Sequence, residues 1–309
     1  MSSSAPAFTP ENIRRFSRLL TATAVMVYLL IVIGGIVRVT GSGLGCPDWP
    51  RCFGEWIPPL RADAIIEYIH RLVATLTSPL ILASALVAWW RYRAVPLATR
   101  SFFIAAILLA VQGLLGGIVV LLETPPNLVA LHLAVAFLIQ ALVTMPAVLF
   151  SGPKLDYSSA RLQFKAPIAR QSLVTLIFVF IMIVSGALVV GSGSTYACSG
   201  WPLCNGEFFP NNPNAYVHMG HRLTVLITSF FIVRTFLAIR ISSETGYLQG
   251  VSNWAFGLFL LQTAIGAFKV SLTFPVWLQG FHVAIASAVW VAYIILASKA
   301  GLATSGEQV

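Results

Sequence analysis

Two short stretches decide the reading of this chain: Glu67-Tyr68-Ile69-His70-Arg71 and His218-Met219-Gly220-His221-Arg222. Each sets a histidine beside an arginine at the start of a long apolar run, and the second follows the first by 151 residues. Two more histidines keep nearly the same period. His132 and His282 lie 150 residues apart, and each follows a glutamine, Gln112 or Gln262, by 20 residues. A chain poor in polar residues that repeats its histidines in this way points to two copies of a bis-histidine metal or haem site.

The composition sets the class. Of 309 residues, 58% are hydrophobic and 9% charged, and the mean hydropathy is +0.85. A soluble domain carries about 25% charged residues. This chain cannot cover a water-facing surface, so it reads as an all-α polytopic membrane protein in the lipid bilayer. Apolar runs fall at roughly 19–37, 72–90, 102–122, 128–150, 172–190, 217–239, 253–273 and 276–297, giving eight transmembrane helices. Each is long enough for a hydrocarbon core about 30 Å thick.

The net charge of +9 is a topology signal rather than a nucleic-acid site. Thirteen of the nineteen basic residues fall on one side: Arg14, Arg15, Arg18, Arg91, Arg93, Arg100, Lys154, Arg161, Lys165, Arg170, Arg234, Arg240 and Lys299. The positive-inside rule then puts both termini in the cytoplasm, in a multi-pass plasma-membrane protein. The first apolar stretch is too long for a signal-peptide core, and no small-x-small cleavage site follows it, so it is expected to be retained as helix 1. Residues 1–18 and 300–309 read as polar tails, and Lys269 as an interface anchor.

The inner loop at about 151–170 divides the chain into two expected four-helix halves, 1–155 and 156–309. Gly35-Ile-Val aligns with Gly186-Ala-Leu, Gln112-Gly-Leu-Leu-Gly116 with Gln262-Thr-Ala-Ile-Gly266, and Cys46-Pro-Asp-Trp49-Pro50-Arg-Cys52 with Cys198-Ser-Gly-Trp201-Pro202-Leu-Cys204. Four helices per half give both copies one orientation, so the repeat is parallel, about an axis along the membrane normal.

All four cysteines lie in the long outer loops, facing an oxidising compartment on this topology. The spacing and the turn-forming Pro and Gly between them favour disulfides Cys46–Cys52 and Cys198–Cys204. The alternative is a thiol pair used for redox exchange or metal capture.

The histidines all fall within about two turns of the outer start of their helices. His70 and His132 can therefore face each other across one half, and His221 and His282 across the other. Neutral imidazoles on neighbouring helices suit the two faces of a porphyrin iron. A lone histidine here would more often be a polar helix contact, but four at repeated positions weigh against that. Zinc would want more ligands at one place. Arg71 and Arg222 are candidate contacts for haem propionates, with snorkelling to the headgroups as the plainer role. Glu67 breaks the repeat, because His218 stands at the matching position. A carboxylate one turn from His70 is a candidate catalytic group for proton transfer or for stabilising a developing cation.

Together the eight helices, the paired cysteine loops, Glu67-Tyr-Ile-His70-Arg71, His132, His221-Arg222 and His282 resemble haem A synthase of the bacterial short type, over essentially the whole chain. The resemblance implies an oxidoreductase that converts the C8 methyl of haem O to a formyl group through a hydroxymethyl intermediate, giving haem A for cytochrome oxidase. It implies haem b as a resident cofactor on His221 and His282, with the substrate haem O held by His70 and His132 until it leaves as haem A. Glu67 matches the family's essential glutamate, and the two cysteine pairs match the family's outer pairs. Haem O synthase and cytochrome oxidase assembly proteins are the expected partners, and a homo-oligomer is compatible. Two other classes compete: a dihaem b-type electron-transfer cytochrome, and a haem carrier or assembly factor with no chemistry.

Overall fold

A proline at the first helical turn opens five of the eight long helices, where its missing N–H costs nothing and its fixed φ suits the helix. In the computed structural model, which describes residues 8–152, 157, 159–242 and 246–303, these are α1 (Pro10–Val39), α3 (Pro96–Leu121), α4 (Pro126–Ser151), α5 (Pro167–Gly191) and α6 (Pro213–Ile241). The others are α2 (Ala62–Arg91), α7 (Gly246–Ser271) and α8 (Val276–Gly301). All eight are long and apolar enough to cross a membrane. A helix satisfies its own backbone, which is what a hydrocarbon solvent demands.

The helices overrun the apolar runs read from the sequence. At 1.5 Å per residue the 30 residues of α1 or α2 span about 45 Å, well beyond the hydrocarbon core. Hydropathy detects only the part in lipid, whereas helix propensity and caps carry the helix on into the polar zone. Thus α1 begins at Pro10 with Thr9 capping the amide of Asn12, inside the segment expected as a polar tail. Residues 62–71 are likewise helical, which puts Glu67 and His70 on α2 itself. Lys154, the expected boundary at 155/156, and residues 1–7 and 304–309 of the tails lie outside the described residues.

One addition to the all-α expectation is small. Arg161–Leu162 (β1) pairs antiparallel with Leu302–Ala303 (β2), and Gln163 N donates to the Gly301 carbonyl at 2.7 Å. This ties the loop between α4 and α5 to the end of α8.

Helix neighbours form two sets. In the first, α1 and α3 each pack against both α2 and α4; in the second, α5 and α7 each pack against both α6 and α8. The histidine-bearing helices are therefore diagonal within each set. The sets meet through α1, α4, α5 and α8. Across that seam Trp290 Nε1 donates to the Phe137 carbonyl at 2.9 Å, and Arg38 Nη2 donates to the Val190 carbonyl at 3.0 Å. At the other end of the first set, Phe16 stacks on Tyr92 with ring centres 4.4 Å apart, and Phe150 on Tyr157 at 4.9 Å.

The outer loops are built alike. Gly41 and Gly193 take left-handed conformations before short 3-10 turns at Ser42–Leu44 and Ser194–Tyr196. Further on, Phe53-Gly54 and Asn205-Gly206 also take positive φ. The disulfides Cys46–Cys52 and Cys198–Cys204 span Cα separations of 4.6 and 4.7 Å. All four cysteines are buried.

At Gly35 a β-carbon would overlap the Val283 side chain, so α1 and α8 approach more closely than any other residue permits there. Gly35→Ala is expected to destabilise the detergent-solubilised protein by about 1–3 kcal/mol through overpacking. In thermal unfolding, Gly35→Ala combined with Val283→Ala should cost less than the two single changes added together. Strict additivity would mean that the two helices do not meet there.

Candidate functional site

His70 and His221 lie in the third turn of α2 and α6, and His132 and His282 in the second turn of α4 and α8. All four are half-buried. His132 is within electrostatic reach of His70, and His282 of His221. The structure thus brings together the pairs expected from the sequence.

Each imidazole lies against a glycine on the adjacent helix. A β-carbon built at Gly34 (α1), Gly116 (α3), Gly186 (α5) or Gly266 (α7) would sit 3.1 Å from Cε1 of His70, His132, His221 or His282 respectively. That is tighter than nearly all real β-carbon contacts. These glycines leave room for a ring in a packed interior. The first repeat match therefore shifts by one: Gly34, not Gly35, is the partner of Gly186, since they face the matching rings of His70 and His221.

The polar surroundings of the two pairs differ. In the first pair, Nδ1 of both His70 and His132 is buried without a hydrogen-bond partner. Gln112 donates to the His132 backbone carbonyl at 3.0 Å rather than to its ring. In the second pair both rings are engaged. Ser185 Oγ lies 2.9 Å from His221 Nδ1, and the Gln262 amide nitrogen lies 3.2 Å from both ring nitrogens of His282.

Glu67 and Arg71 form an ion pair at 2.6 Å, one helical turn apart and almost wholly buried. Arg71 also donates to the carbonyls of Cys46 (3.1 Å), Asp48 (2.8 Å) and Arg51 (2.7 Å), and the Cys46 amide points to Glu67 Oε2 at 3.4 Å. Its donors are spent on the outer loop and on Glu67. Losing one partner of such a pair leaves a buried charge alone, a cost of about 3–5 kcal/mol. The loop also packs on α3, where the Trp49 ring lies against Gly117, next to the Gly116 that faces His132.

Arg222 is in a different position. Nη1 donates to the Pro202 carbonyl at 2.9 Å, while Nη2 is buried with no partner. The residue matching Glu67 is His218, also buried, so Arg222 meets no carboxylate there. Lys269, expected to anchor at the interface, is half-buried within electrostatic reach of His218, His221, His282 and Arg222. Among the described residues it has no ion-pair partner. Sequence reasoning undervalued it, although a lysine in an apolar helix whose repeat partner is Val119 was a usable signal. The second half thus carries two cations facing its histidines with no anion among them.

Buried neutral imidazoles in diagonal pairs, rings seated on glycine, and a spare guanidinium donor fit a flat iron macrocycle bearing carboxylates. A lone metal ion fits less well, since among the described residues no cluster of three or more His, Cys, Asp or Glu could hold one.

Comparison with known proteins shows the family. The family model COX15-CtaA, described as cytochrome oxidase assembly protein, matches residues 17–294. The chain is 34% identical over 219 residues to a protein named haem A synthase from Alkalihalophilus pseudofirmus, covering 68% of this chain and 72% of the relative. It is 28% identical over 295 residues to one of the same name from Staphylococcus haemolyticus, covering 94% and 96%.

Asp48 orders the loop that engages Glu67 and Arg71. Its carboxylate accepts from Gly54 N at 2.8 Å and Phe53 N at 2.6 Å, and these bonds, Gly54's foremost, hold its pKa below the usual carboxylate value. A lowered pKa contributes order that is fully present above the ordinary value and is lost as pH falls through the lowered one. Reduction of Cys46–Cys52 by a phosphine, relative to Cys198–Cys204 in the same molecule, should therefore be constant from neutral pH down to about 5 and quicken below about 4. Asp48→Ala should raise that ratio throughout. A ratio unaffected by either change removes Asp48 from this role.

Proposed function

The chain belongs to the COX15-CtaA cytochrome oxidase assembly family, and on that premise we propose that it makes haem A by oxidising the C8 methyl of haem O to a formyl group through a hydroxymethyl stage. The observation that carries this reading is the inequality of the two histidine pairs. The Glu67–Arg71 ion pair stands one turn from His70, while among the described residues the charged groups near the other pair are the cations Arg222 and Lys269.

On this reading His70 and His132 hold the substrate haem O, and His221 and His282 hold a resident haem b. Haem b, when bound, supplies one-electron transfer. Arg222 directs its unpartnered Nη2 to a propionate, with Lys269 as the second cation. Arg71 is committed to Glu67 and the loop carbonyls, so its part is to hold Glu67 rather than to bind a propionate. Glu67 Oε1 accepts from Arg71, Oε2 has a long contact to Cys46 N, and the Gly45 amide also bonds to the carboxylate. Oε2 is the atom placed to take up a proton released during oxidation, or to face positive charge developing at the methyl carbon. The farnesyl tail of haem O favours lateral entry from lipid between the helices of the first half.

The basic residues at the ends of α2 and α6 and in the α4–α5 loop support cytoplasmic termini in a plasma-membrane protein, with the disulfide loops outside. The matched loops and the Arg38–Val190 contact between nearly equivalent positions support a parallel duplication, with residues 1–155 as the substrate half and 156–309 as the haem b half. Haem O synthase is the natural donor of so lipophilic a substrate.

Expression with a haem O source, followed by haem extraction and chromatography, tests the proposal. Wild type should accumulate haem A. Glu67→Gln, which keeps the side-chain shape, should retain haem b but lose haem A output by about 100-fold or more. Normal haem A output from Glu67→Gln would overturn the role of Glu67. A wild-type protein holding only haem b in two equal sites would instead be a dihaem electron-transfer cytochrome.

A further inference from the structure

Ser185 sits at the centre of three short contacts: 2.7 Å to the Met182 carbonyl, 2.8 Å to Thr224 Oγ1 and 2.9 Å to His221 Nδ1. Proton counting orders them. A carbonyl can only accept, so the single Ser185 proton goes to Met182. Thr224 Oγ1 has one proton for two acceptors, Ser185 Oγ and the His221 carbonyl at 2.8 Å, so a hydrogen on His221 Nδ1 donated to Ser185 lets three of these four contacts be made, against two if Nδ1 carries none. No assignment with a bare Nδ1 satisfies as many. The Nδ1 hydrogen fixes one tautomer, with the Nε2 lone pair free, and holds the ring at one angle.

The first half has no counterpart. One repeat earlier the positions of Ser185 and Thr224 are Ile33 and Val73, and His70 Nδ1 is buried without a partner. The fourth helices differ in another way, since the Gln262 amide nitrogen reaches the ring of His282, which can only accept from it, whereas Gln112 donates to the backbone of His132. A histidine that donates its second N–H is a fixed and more basic metal ligand, and removing the acceptor typically weakens metal holding by about 10- to 100-fold.

We propose that Ser185, supported by Thr224, is a positioning residue that locks His221 as a permanent axial ligand, and that its absence beside His70 leaves the first site built for exchange. This rests on the assignment of haem b to His221 and His282 made above. It adds the reason one pair retains its haem while the other releases one.

The test uses the purified holo-protein in detergent. Transfer of haem b to excess apomyoglobin reports retention, and redox titration of the bound haem reports ligand basicity. Ser185→Ala should release haem b about 10- to 100-fold faster and raise its midpoint potential, because a less basic imidazole stabilises ferric iron less. Ser185→Thr, which keeps a hydroxyl, should restore both. Thr224→Val should shift both in the same direction by less. The converse graft, Ile33→Ser with Val73→Thr, should slow release from the first site. Release and potential unchanged in Ser185→Ala would overturn the proposal, as would a loss that Ser185→Thr fails to restore. A wild-type protein with no bis-histidine haem spectrum would instead sink the haem assignment itself.

Discussion

An imidazole ring pressed against a helix that lacks a β-carbon is the contact on which the rest of this molecule depends. It recurs four times, at Gly34, Gly116, Gly186 and Gly266, each at the same 3.1 Å. A histidine cannot enter a close-packed bundle without space made for it, and a neutral ring aimed at the interior must be held by packing where hydrogen bonds are few. Glycine on the adjacent helix supplies that space. It also fixes the arrangement of helices, since α1 and α3 must flank α2 and α4, and α5 and α7 must flank α6 and α8. The histidine helices then face each other across the diagonal.

On this common frame the two halves were given different electrostatics. The first has a buried carboxylate, neutralised by Arg71 and bound to the disulfide loop, and two imidazoles with no hydrogen-bond partner at Nδ1. Among the described residues, the second histidine pair has no carboxylate near it, two cations and two engaged rings. Buried polar groups are costly unless satisfied, so rings that meet a polar neighbour are held in place, while rings left bare at Nδ1 are held by packing alone. On the proposed reading, a resident cofactor takes the site with engaged rings and a passing substrate the other. The outer loop joins this division of labour, because the same arginine that holds Glu67 also grips the carbonyls around Cys46 and Cys52.

Much of this was legible in the chain. The eight spans followed from apolar runs, and the histidine pairs, the cysteine pairs and the odd carboxylate at 67 followed from comparing one half with the other. Besides Lys269, three things were misjudged or missed, each for a physical reason. Helix ends were placed too far inward, because hydropathy marks lipid contact and not hydrogen bonding. Gly35 was matched to Gly186 in place of Gly34, because neighbouring glycines are indistinguishable until one of them faces a ring. Ser185 went unnoticed, because a serine in an apolar helix ordinarily bonds back to its own carbonyls, as this one also does at Met182.

The sequence alone determined class, span count, repeat and the residue types able to hold iron, since these depend on composition and spacing along the chain. The tertiary structure decided which donors are spent and which are spare: Arg71 against Arg222, His70 against His221, and a lysine turned inward at position 269. Hydrogen-bond satisfaction is a property of neighbours from different helices, separated here by 20 residues for Gln262 and His282 and by 36 for Ser185 and His221. Only packing brings them into reach, so the same motif could become a firm site in one half and an open one in the other.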